Sequence, residues 1–283
     1  MALVAQGAAR LARADPARIG VISGAQVAAA TRHAFARGAL QPIATELCVV
    51  EDAGVRFLLR VSSSVARKEA LGEQRADPLG DYERDLFVGD VPPAHYVLLN
   101  KFNVMPGHLL LVTRAPEPQE CLLTERDLAA FAPLIDSLGG LGFYNGGLEA
   151  GASQPRKHLQ LVPLPLGPEK AIPAETSIKT AALPFRHAFA AVEKVADLHR
   201  VYRELLDRCG IAGVGKEERQ SAPYNLLFTR EWMLLVPRRR ERFESISVNA
   251  LGFAGSLFVR DHASRERVCA VGPMQVLRAV AIE

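Results

Sequence analysis

The chain is poor in cysteine, and its four cysteines stand far apart in the sequence. Such spacing makes neither a zinc ribbon nor a redox pair, and it indicates no disulfide framework. Scattered free thiols are typical of a reducing compartment, so we predict a cytoplasmic protein. The four residues are Cys48, Cys121, Cys209 and Cys269.

Long apolar runs are also missing. No stretch of about 18 uncharged apolar residues occurs, so no membrane-spanning segment is expected. The residues from Met1 to Arg18 alternate alanine with arginine, and we expect no signal peptide there. The 34 basic and 31 acidic residues leave a net charge of +3, which is too balanced for nucleic-acid or membrane binding by bulk electrostatics. An anionic substrate would therefore need a local basic site.

Several motifs of known chemistry are absent or incomplete. No Gly-x-Ser-x-Gly is present, and no two of the seven histidines have metal-ligand spacing, so we expect neither a serine hydrolase nor a metal site. The run from Gly210 to Lys216 begins as a phosphate loop, but Glu217 stands where Ser or Thr should follow. We interpret it as a glycine helix stop. The arginine-rich run 238–242 lacks interleaved aromatic residues, so no nucleic-acid partner is expected.

The most informative stretch is 151–165, where a loop of small residues runs into a short apolar strand. Side chains alternate along a strand, so Arg156, His158 and Gln160 should share one face and the residues between them the other. Small side chains let the backbone N–H groups of residues 151–154 approach an anion. This arrangement suits phosphate chemistry, with His158 as nucleophile or proton shuttle. The alternative is that His158 is a hydrogen-bonded structural residue.

Hydrophobic periodicity and turn residues predict an α+β fold. An antiparallel sheet made of hairpins should carry the site, with helices packed against one face. The predicted helices are 19–38, 124–138, 185–209 and 264–281, and the predicted strands include 48–50, 55–61, 86–88, 95–102, 108–114, 224–229 and 232–237. A proline-rich connection from 166 to 183 separates an N-terminal part, 1–170, which carries the histidine strand, from a C-terminal part, 171–283, which completes the substrate cleft.

Four stretches, in order along the chain, together resemble one family. They are 100–104, 108–114, 157–160 and 224–238, and the likeness extends from about residue 45 to residue 245. The chain resembles the diadenosine tetraphosphate (Ap4A) phosphorylases, also called ATP adenylyltransferases, of the histidine-triad and galactose-1-phosphate uridylyltransferase superfamily. This resemblance favours a histidine-triad-like sheet and the catalytic interpretation of His158.

The resemblance implies a two-step adenylyl transfer. A histidine attacks the α-phosphorus of Ap4A, releases ATP and becomes joined to AMP. Inorganic phosphate then attacks this intermediate to give ADP. Splitting the reaction into two displacements avoids one difficult direct step. A related nucleotidyl transferase or hydrolase on another nucleotide, and a non-catalytic nucleotide-binding protein, remain as alternatives.

By matched position, the resemblance implies His158 as the nucleophile and Gln160 as a catalytic amide that favours transfer over hydrolysis. It also implies substrate-binding residues in the α-phosphate loop, in the variable loop 62–80 and in a C-terminal wall. These are Asn145, Gly151, Ala152, Ser153, Gln154 and Arg156, then Lys68 (with Arg67 beside it) and Asp77, and finally Asn225, Leu226, Leu227, Met233 and Arg238.

Two positions depart from the family's pattern. Arg156 stands where the superfamily commonly has the first histidine of its motif, and an arginine cannot act as a base. Lys68 is followed by Glu69, where proline is expected. The implied partners are a small nucleotide and inorganic phosphate, with no nucleic acid and no membrane, in a monomer or homodimer. No cofactor is expected on the protein, although the polyphosphate could bring its own Mg²⁺.

Overall fold

The computed structural model describes residues 21–62, 76–168 and 171–283. Its helices are α1 (Gly24–Ala36), α2 (Glu125–Leu138), α3 (Glu175–Lys179), α4 (Leu198–Cys209), α5 (Ala250–Phe253), α6 (His262–Val271) and α7 (Pro273–Val280). Its strands are β1 (Glu46–Asp52), β2 (Val55–Val61), β3 (Phe87–Val91), β4 (His95–Leu99), β5 (Leu109–Thr113), β6 (Leu141–Gly146), β7 (His158–Val162), β8 (Ala188–Ala191), β9 (Gly213–Val214), β10 (Arg219–Gln220), β11 (Tyr224–Phe228), β12 (Trp232–Pro237), β13 (Arg242–Phe243), β14 (Ile246–Ser247) and β15 (Ser256–Val259).

A large antiparallel sheet organises the described residues and confirms the predicted α+β fold. Its strand order is β3-β4-β5-β7-β6-β11-β12-β8. The predicted hairpin of β11 and β12 is present, with Tyr224 opposite Pro237. Strand β6 from the first half of the chain pairs with β11 from the second. Strands from both sides of the predicted boundary at residue 170 therefore belong to one sheet.

Helices α1, α2 and α4 pack on one face of this sheet, as predicted. Thr124 caps α2 and forms a capping box with Asp127, which satisfies N–H groups at the helix start. Leu128, Phe131 and Ile135 lie on the buried side of α2, in the same core as Leu159 of β7. Burial of these apolar side chains holds the helices against the sheet.

The opposite face of the sheet is also covered, by elements that the sequence did not assign to it. A second sheet of order β1-β2-β15 packs there together with α5, α6 and α7. Phe57 of β2 and Phe253 of α5 belong to the same buried cluster as Phe143 of β6 and Leu227 of β11. The apolar residues on both faces of β6 and β11 required this second layer.

The predicted helix 185–209 is wrong in its first half. Residues Ala188–Ala191 form the edge strand β8, which pairs with β12, and α4 begins only at Leu198. Pairing with a neighbouring strand overrides the helix propensity of alanine, which is the highest of any residue but remains a weak determinant beside tertiary context. The predicted helix 264–281 is divided in two, since Gly272 has φ +92° and Pro273 starts α7. The connection 166–183 contains the short helix α3.

The helix stop predicted at Gly210 is confirmed. Gly210 ends α4 in the left-handed conformation, and the hairpin of β9 and β10 follows, so no phosphate loop forms here. No helix among the described residues is long and apolar enough to cross a membrane.

Candidate active site

Strand β7 places His158 and Gln160 on the same face, as the alternation predicts. His158 lies opposite Val112 and Gln160 opposite Leu110 on β5. The intervening Leu159 packs into the core on the helix side. Both polar side chains are buried, so each needs a hydrogen-bond partner.

The backbone holds the His158 imidazole in one tautomer. Its Nδ1 lies 2.8 Å from the carbonyl oxygen of Arg156, to which it donates a proton. The lone pair is then on Nε2, which is the atom that a nucleophile must use. The side-chain nitrogen of Gln160 lies 3.5 Å from this Nε2. In the neutral ring, the arrangement therefore presents the Nε2 lone pair with an amide NH₂ beside it.

Two further residues orient Gln160, and the sequence analysis missed both. His108 Nε2 lies 2.9 Å from Gln160 Oε1, so the amide must turn its NH₂ toward His158. Asn100 Nδ2 lies 3.1 Å from His108 Nδ1 and selects the tautomer that protonates Nε2. Strand alternation could have revealed His108. It precedes Leu110 by two residues and so shares its face of the sheet, and Leu110 lies opposite Gln160.

The loop before β7 has the geometry of an anion site. Gly147 and Gly151 have φ of +84° and +85°, a conformation that favours glycine. A Cβ atom on Gly151 would lie 2.7 Å from the carbonyl oxygen of Val248, so the close approach also requires glycine. Within the described ranges, the backbone N–H groups of Ser153 and Gln154 have no hydrogen-bond partner. They can donate to a phosphate.

A buried chain of polar groups ties this loop to the C-terminal part of the molecule. Asn225 Nδ2 donates to Asn145 Oδ1 at 2.9 Å and to the carbonyl of Ala150 at 2.8 Å. Asn145 Oδ1 also accepts from the backbone of Ala250 at 2.9 Å. With its oxygen so engaged, Asn145 has only its NH₂ left to offer a ligand.

Arg238 extends this chain and has a structural place that differs from the predicted one. Its guanidinium is buried and donates to Asn225 Oδ1 and to backbone carbonyls, among them Val248 at 2.9 Å. Burial lowers the pKa of Arg238 to about 9, so the group stays charged at neutral pH. Its hydrogen bonds hold the wall and the loop together, and they leave little of the guanidinium to face a substrate.

Comparison with known proteins agrees with this geometry. Residues 20–180 match the family model of the Ap4A phosphorylase N-terminal domain, and residues 181–283 match that of the ATP adenylyltransferase C-terminal domain. The chain belongs to the Ap4A phosphorylase family.

Two relatives from Saccharomyces cerevisiae cover most of this family member. Protein APA1 is 27% identical over an alignment of 272 residues, and the match covers 81% of this chain and 84% of the relative. Diadenosine 5',5'''-P1,P4-tetraphosphate phosphorylase 2 is 28% identical over an alignment of 236 residues, and the match covers 68% of this chain and 71% of the relative.

The fold is shared with solved structures of the family. Yeast Ap4A phosphorylase Apa2 superposes with a TM-score of 0.76 at 23% identity, over 91% of this chain and 96% of that chain. The same yeast protein in complex with AMP gives a TM-score of 0.73 at 25% identity, over 89% and 94%. A further structure holds Ap4A.

Not every wall residue expected of an Ap4A phosphorylase lies on the His158 face. Leu226 and Met233 pack into the core on the helix side. Side chains alternate along β11 and β12, and these two therefore point away from His158. Asn225 and Leu227 share the His158 face, but Leu227 is enclosed in the second apolar core.

Arg156 and Asp77, both predicted to bind substrate, instead bind each other. Arg156 Nε lies 2.9 Å from Asp77 Oδ2, and Arg156 Nη1 donates to the carbonyls of Thr113 and Arg114 at 3.0 and 2.9 Å. The hydrogen bond from Arg156 lowers the pKa of Asp77. Arg156 is thus a bidentate cation that holds the start of β7 to the loop at Asp77. Lys68, with Arg67 and Glu69, lies outside the described residues.

A separate ionic cluster lies under β7, on the face away from His158. Lys157 Nζ is 2.8 Å from Asp127 Oδ2, and Asp127 Oδ1 is 2.7 Å from His95 Nε2. All three side chains are buried. Burial raises the pKa of Asp127, but the His95 hydrogen bond and the Lys157 charge outweigh it and lower that pKa well below the ordinary value. The cluster joins the start of β7 to the first turn of α2.

Proposed function

We propose that this protein phosphorolyses diadenosine tetraphosphate to ATP and ADP through an adenylate joined to His158. The observation that carries the proposal is the 2.8 Å contact of His158 Nδ1 with the Arg156 carbonyl, which directs the lone pair of the neutral ring to Nε2. The amide of Gln160 lies beside it, and the loop before β7 offers the N–H groups of Ser153 and Gln154, which have no partner among the described residues. Two comparisons support Ap4A as the substrate. One yeast relative is named as a phosphorylase of diadenosine tetraphosphate, and one solved structure of yeast Ap4A phosphorylase contains Ap4A.

In the first step, the Nε2 lone pair attacks the α-phosphorus. A P–N bond forms, the bond from the α-phosphorus to its bridging oxygen breaks, and ATP leaves with that oxygen. In the second step, an oxygen of inorganic phosphate attacks the same phosphorus, the P–N bond breaks and ADP leaves. His158 regains its lone pair, and the sum is Ap4A plus phosphate giving ATP plus ADP.

Gln160 directs the second step toward phosphate and away from water. Its amide can orient a phosphate oxygen, but it has no basic nitrogen with which to activate water. The hydrogen bond from His108 keeps its NH₂ on the nucleophile side. The N–H groups of Ser153 and Gln154, with the Asn145 NH₂, would neutralise charge on the phosphate oxygens.

Other parts of the proposal concern the setting of the reaction. The ligands are a small nucleotide and inorganic phosphate, with any Mg²⁺ arriving on the polyphosphate. We also propose that the protein is related to the histidine-triad proteins, that it is cytoplasmic, and that it is a monomer or a homodimer. The four free cysteines support the reducing compartment.

Incubation with Ap4A, with and without inorganic phosphate, tests the proposal. ATP and ADP that form only when phosphate is present are the expected products. AMP and ATP in plain buffer would instead identify a hydrolase, and tight binding without turnover would identify a nucleotide-binding protein. Either result would reject phosphorolysis.

A further inference from the structure

The side chain of Gln119 lies between two strands of the sheet, at the position of His158. Gln119 is fully buried in the segment between β5 and α2. Its Oε1 accepts from the backbone N–H of His158 at 2.8 Å. Its Nε2 donates to the carbonyls of Asn145 at 2.9 Å and His158 at 3.3 Å.

The side-chain amide of Gln119 lies where the regular hydrogen bonding between β6 and β7 ends. Strands β6 and β7 pair from Leu141 opposite Val162 to Phe143 opposite Gln160. The next like-facing pair would be Asn145 and His158, but the Gln119 amide joins them instead. It accepts from the β7 donor and donates to the β6 acceptor, as an inserted peptide group would.

The backbone of the same segment continues this replacement. The N–H of Gln119 donates to the carbonyl of Pro155 at 2.8 Å, and the N–H of Lys157 donates to Glu117 at 2.7 Å. The Tyr144 hydroxyl on β6 donates to the carbonyl of Gln119 at 2.5 Å. Segment 117–119 thus takes the place of β6 beside the start of β7, and its position is held from both strands.

We propose that Gln119 is a positioning residue for the adenylyl-transfer reaction, which sets the separation of β6 and β7 and thereby aims His158 Nε2 at the α-phosphorus held by the loop. This inference rests on the proposed function. Asn145, whose carbonyl receives the amide, directly precedes the loop glycines, and Gly147 also donates to that carbonyl at 3.0 Å. The Gln119 side chain therefore contacts both the strand that carries His158 and the residue that leads into the phosphate loop. A shift of about 1 Å in such a distance costs on the order of 100-fold in rate.

The decisive variant is Gln119→Met, which keeps length and removes all three hydrogen bonds. We expect single-turnover labelling of the protein by α-phosphate-labelled Ap4A to slow on the order of 100-fold. The dissociation constant for AMP should stay within about threefold, because the phosphate donors and the wall remain. Gln119→Asn keeps a shorter amide and should slow labelling on the order of tenfold if Gln119→Met does not fold.

Gln220→Met is the matched control. Gln220 also donates a side-chain amide to β6, at the carbonyl of Gly146 and 2.6 Å away, but it has no bond to β7. The labelling rate of Gln220→Met should remain within about threefold of that of the unaltered protein. Equal slowing in both variants, or weaker AMP binding at an unchanged labelling rate in Gln119→Met, would overturn the positioning role.

A second readout does not depend on the reaction. In ¹⁵N-histidine NMR spectra of the free protein, Gln119→Met should shift the ring and backbone signals of His158 and leave those of His95 unmoved. Unchanged His158 signals would overturn the proposal even if labelling slows. If the unaltered protein forms no labelled intermediate, the proposed function fails, and these spectra alone decide whether Gln119 positions His158.

Discussion

Two consecutive cations, Arg156 and Lys157, enter β7 on opposite faces and meet different surroundings. Arg156 lies on the His158 face and pairs with Asp77, whose side chain is 31% exposed. Lys157 is buried on the other face, where Asp127 pairs with it at 2.8 Å and is 3% exposed. The difference shows that one strand can be anchored by a fully buried ion pair on one face and by a partly exposed ion pair on the other.

Beyond the Arg156–Asp77 pair, the His158 face carries a chain of amides and imidazoles from Asn100 through His108 and Gln160 to His158. A carboxylate next to His158 would favour its protonated form and remove the nucleophile. The Lys157 face requires an ionised carboxylate, since a buried lysine must have a partner that remains charged. The comparison predicts that substitutions on the His158 face of β7 change the reaction rate, and that substitutions on the Lys157 face change the free energy of unfolding.

The largest effect should follow from removing the proposed nucleophile. His158→Ala and His158→Gly should abolish covalent labelling from α-phosphate-labelled Ap4A, because no other imidazole has the same place beside the loop. Labelling is measured after denaturing the protein, and AMP binding serves as the control for folding. A label that persists in either variant would place the nucleophile elsewhere.

Next in size is the loss of the buried ion pair. Asp127→Asn leaves Lys157 with only the exposed carboxylate of Glu117, 3.2 Å away, as an anionic partner among the described residues, so the free energy of unfolding should fall by up to about 3 kcal/mol. Urea denaturation at neutral pH measures this. The exposed pair of Lys179 and Glu175 provides the control, since Lys179→Met should cost less than about 1 kcal/mol. A labelling rate that falls in Asp127→Asn while the protein remains folded would contradict the division of roles between the faces.

The same carboxyl should make stability depend on pH. Its folded pKa lies below the unfolded value of 3.8, so its contribution is complete above that value and is lost as the pH falls toward the folded pKa. The urea midpoint of the unaltered protein should therefore drop more steeply below about pH 4 than that of Asp127→Asn. Parallel slopes for the two proteins would show that Asp127 is not held ionised.

A smaller effect should distinguish water from phosphate as acceptor. Gln160→His supplies a basic nitrogen beside His158 and should shift the products from ADP toward AMP on the order of tenfold. Gln160→Leu lacks that nitrogen and should lower both products without the shift. Product analysis by chromatography measures the ratio, and an unchanged ratio in Gln160→His would remove the proposed role of the amide.

The smallest effect concerns the cation on the His158 face. Arg156→Lys keeps charge but loses the bidentate contact with Asp77, so we expect about 1 kcal/mol less stability. A double-mutant cycle with Asp77→Asn, read by urea denaturation, isolates the pair. A coupling as large as that of Lys157 with Asp127 would erase the contrast between the two faces.

Much of the fold could be predicted from local patterns. The hairpin of β1 and β2, the Thr124 cap of α2 and the glycine stop at Gly210 all have strong short-range signals. Strand β8 could not be predicted in this way, because its only distinguishing feature is the pairing of Ala188 to Ala191 with β12. Alternation along β7 also placed His158 and Gln160 correctly on one face.

The sequence by itself determined the fold class, the family resemblance and the face on which His158 lies, since these depend on order and spacing along the chain. Only the tertiary structure decided which polar residues meet: Gln119 with His158, His108 with Gln160, and Arg156 with Asp77. Each of these pairs is separated by about 40 to 80 residues. The physical reason is that a buried polar group must find a partner, and the packing of the sheet, not the sequence spacing, determines which partner is within reach.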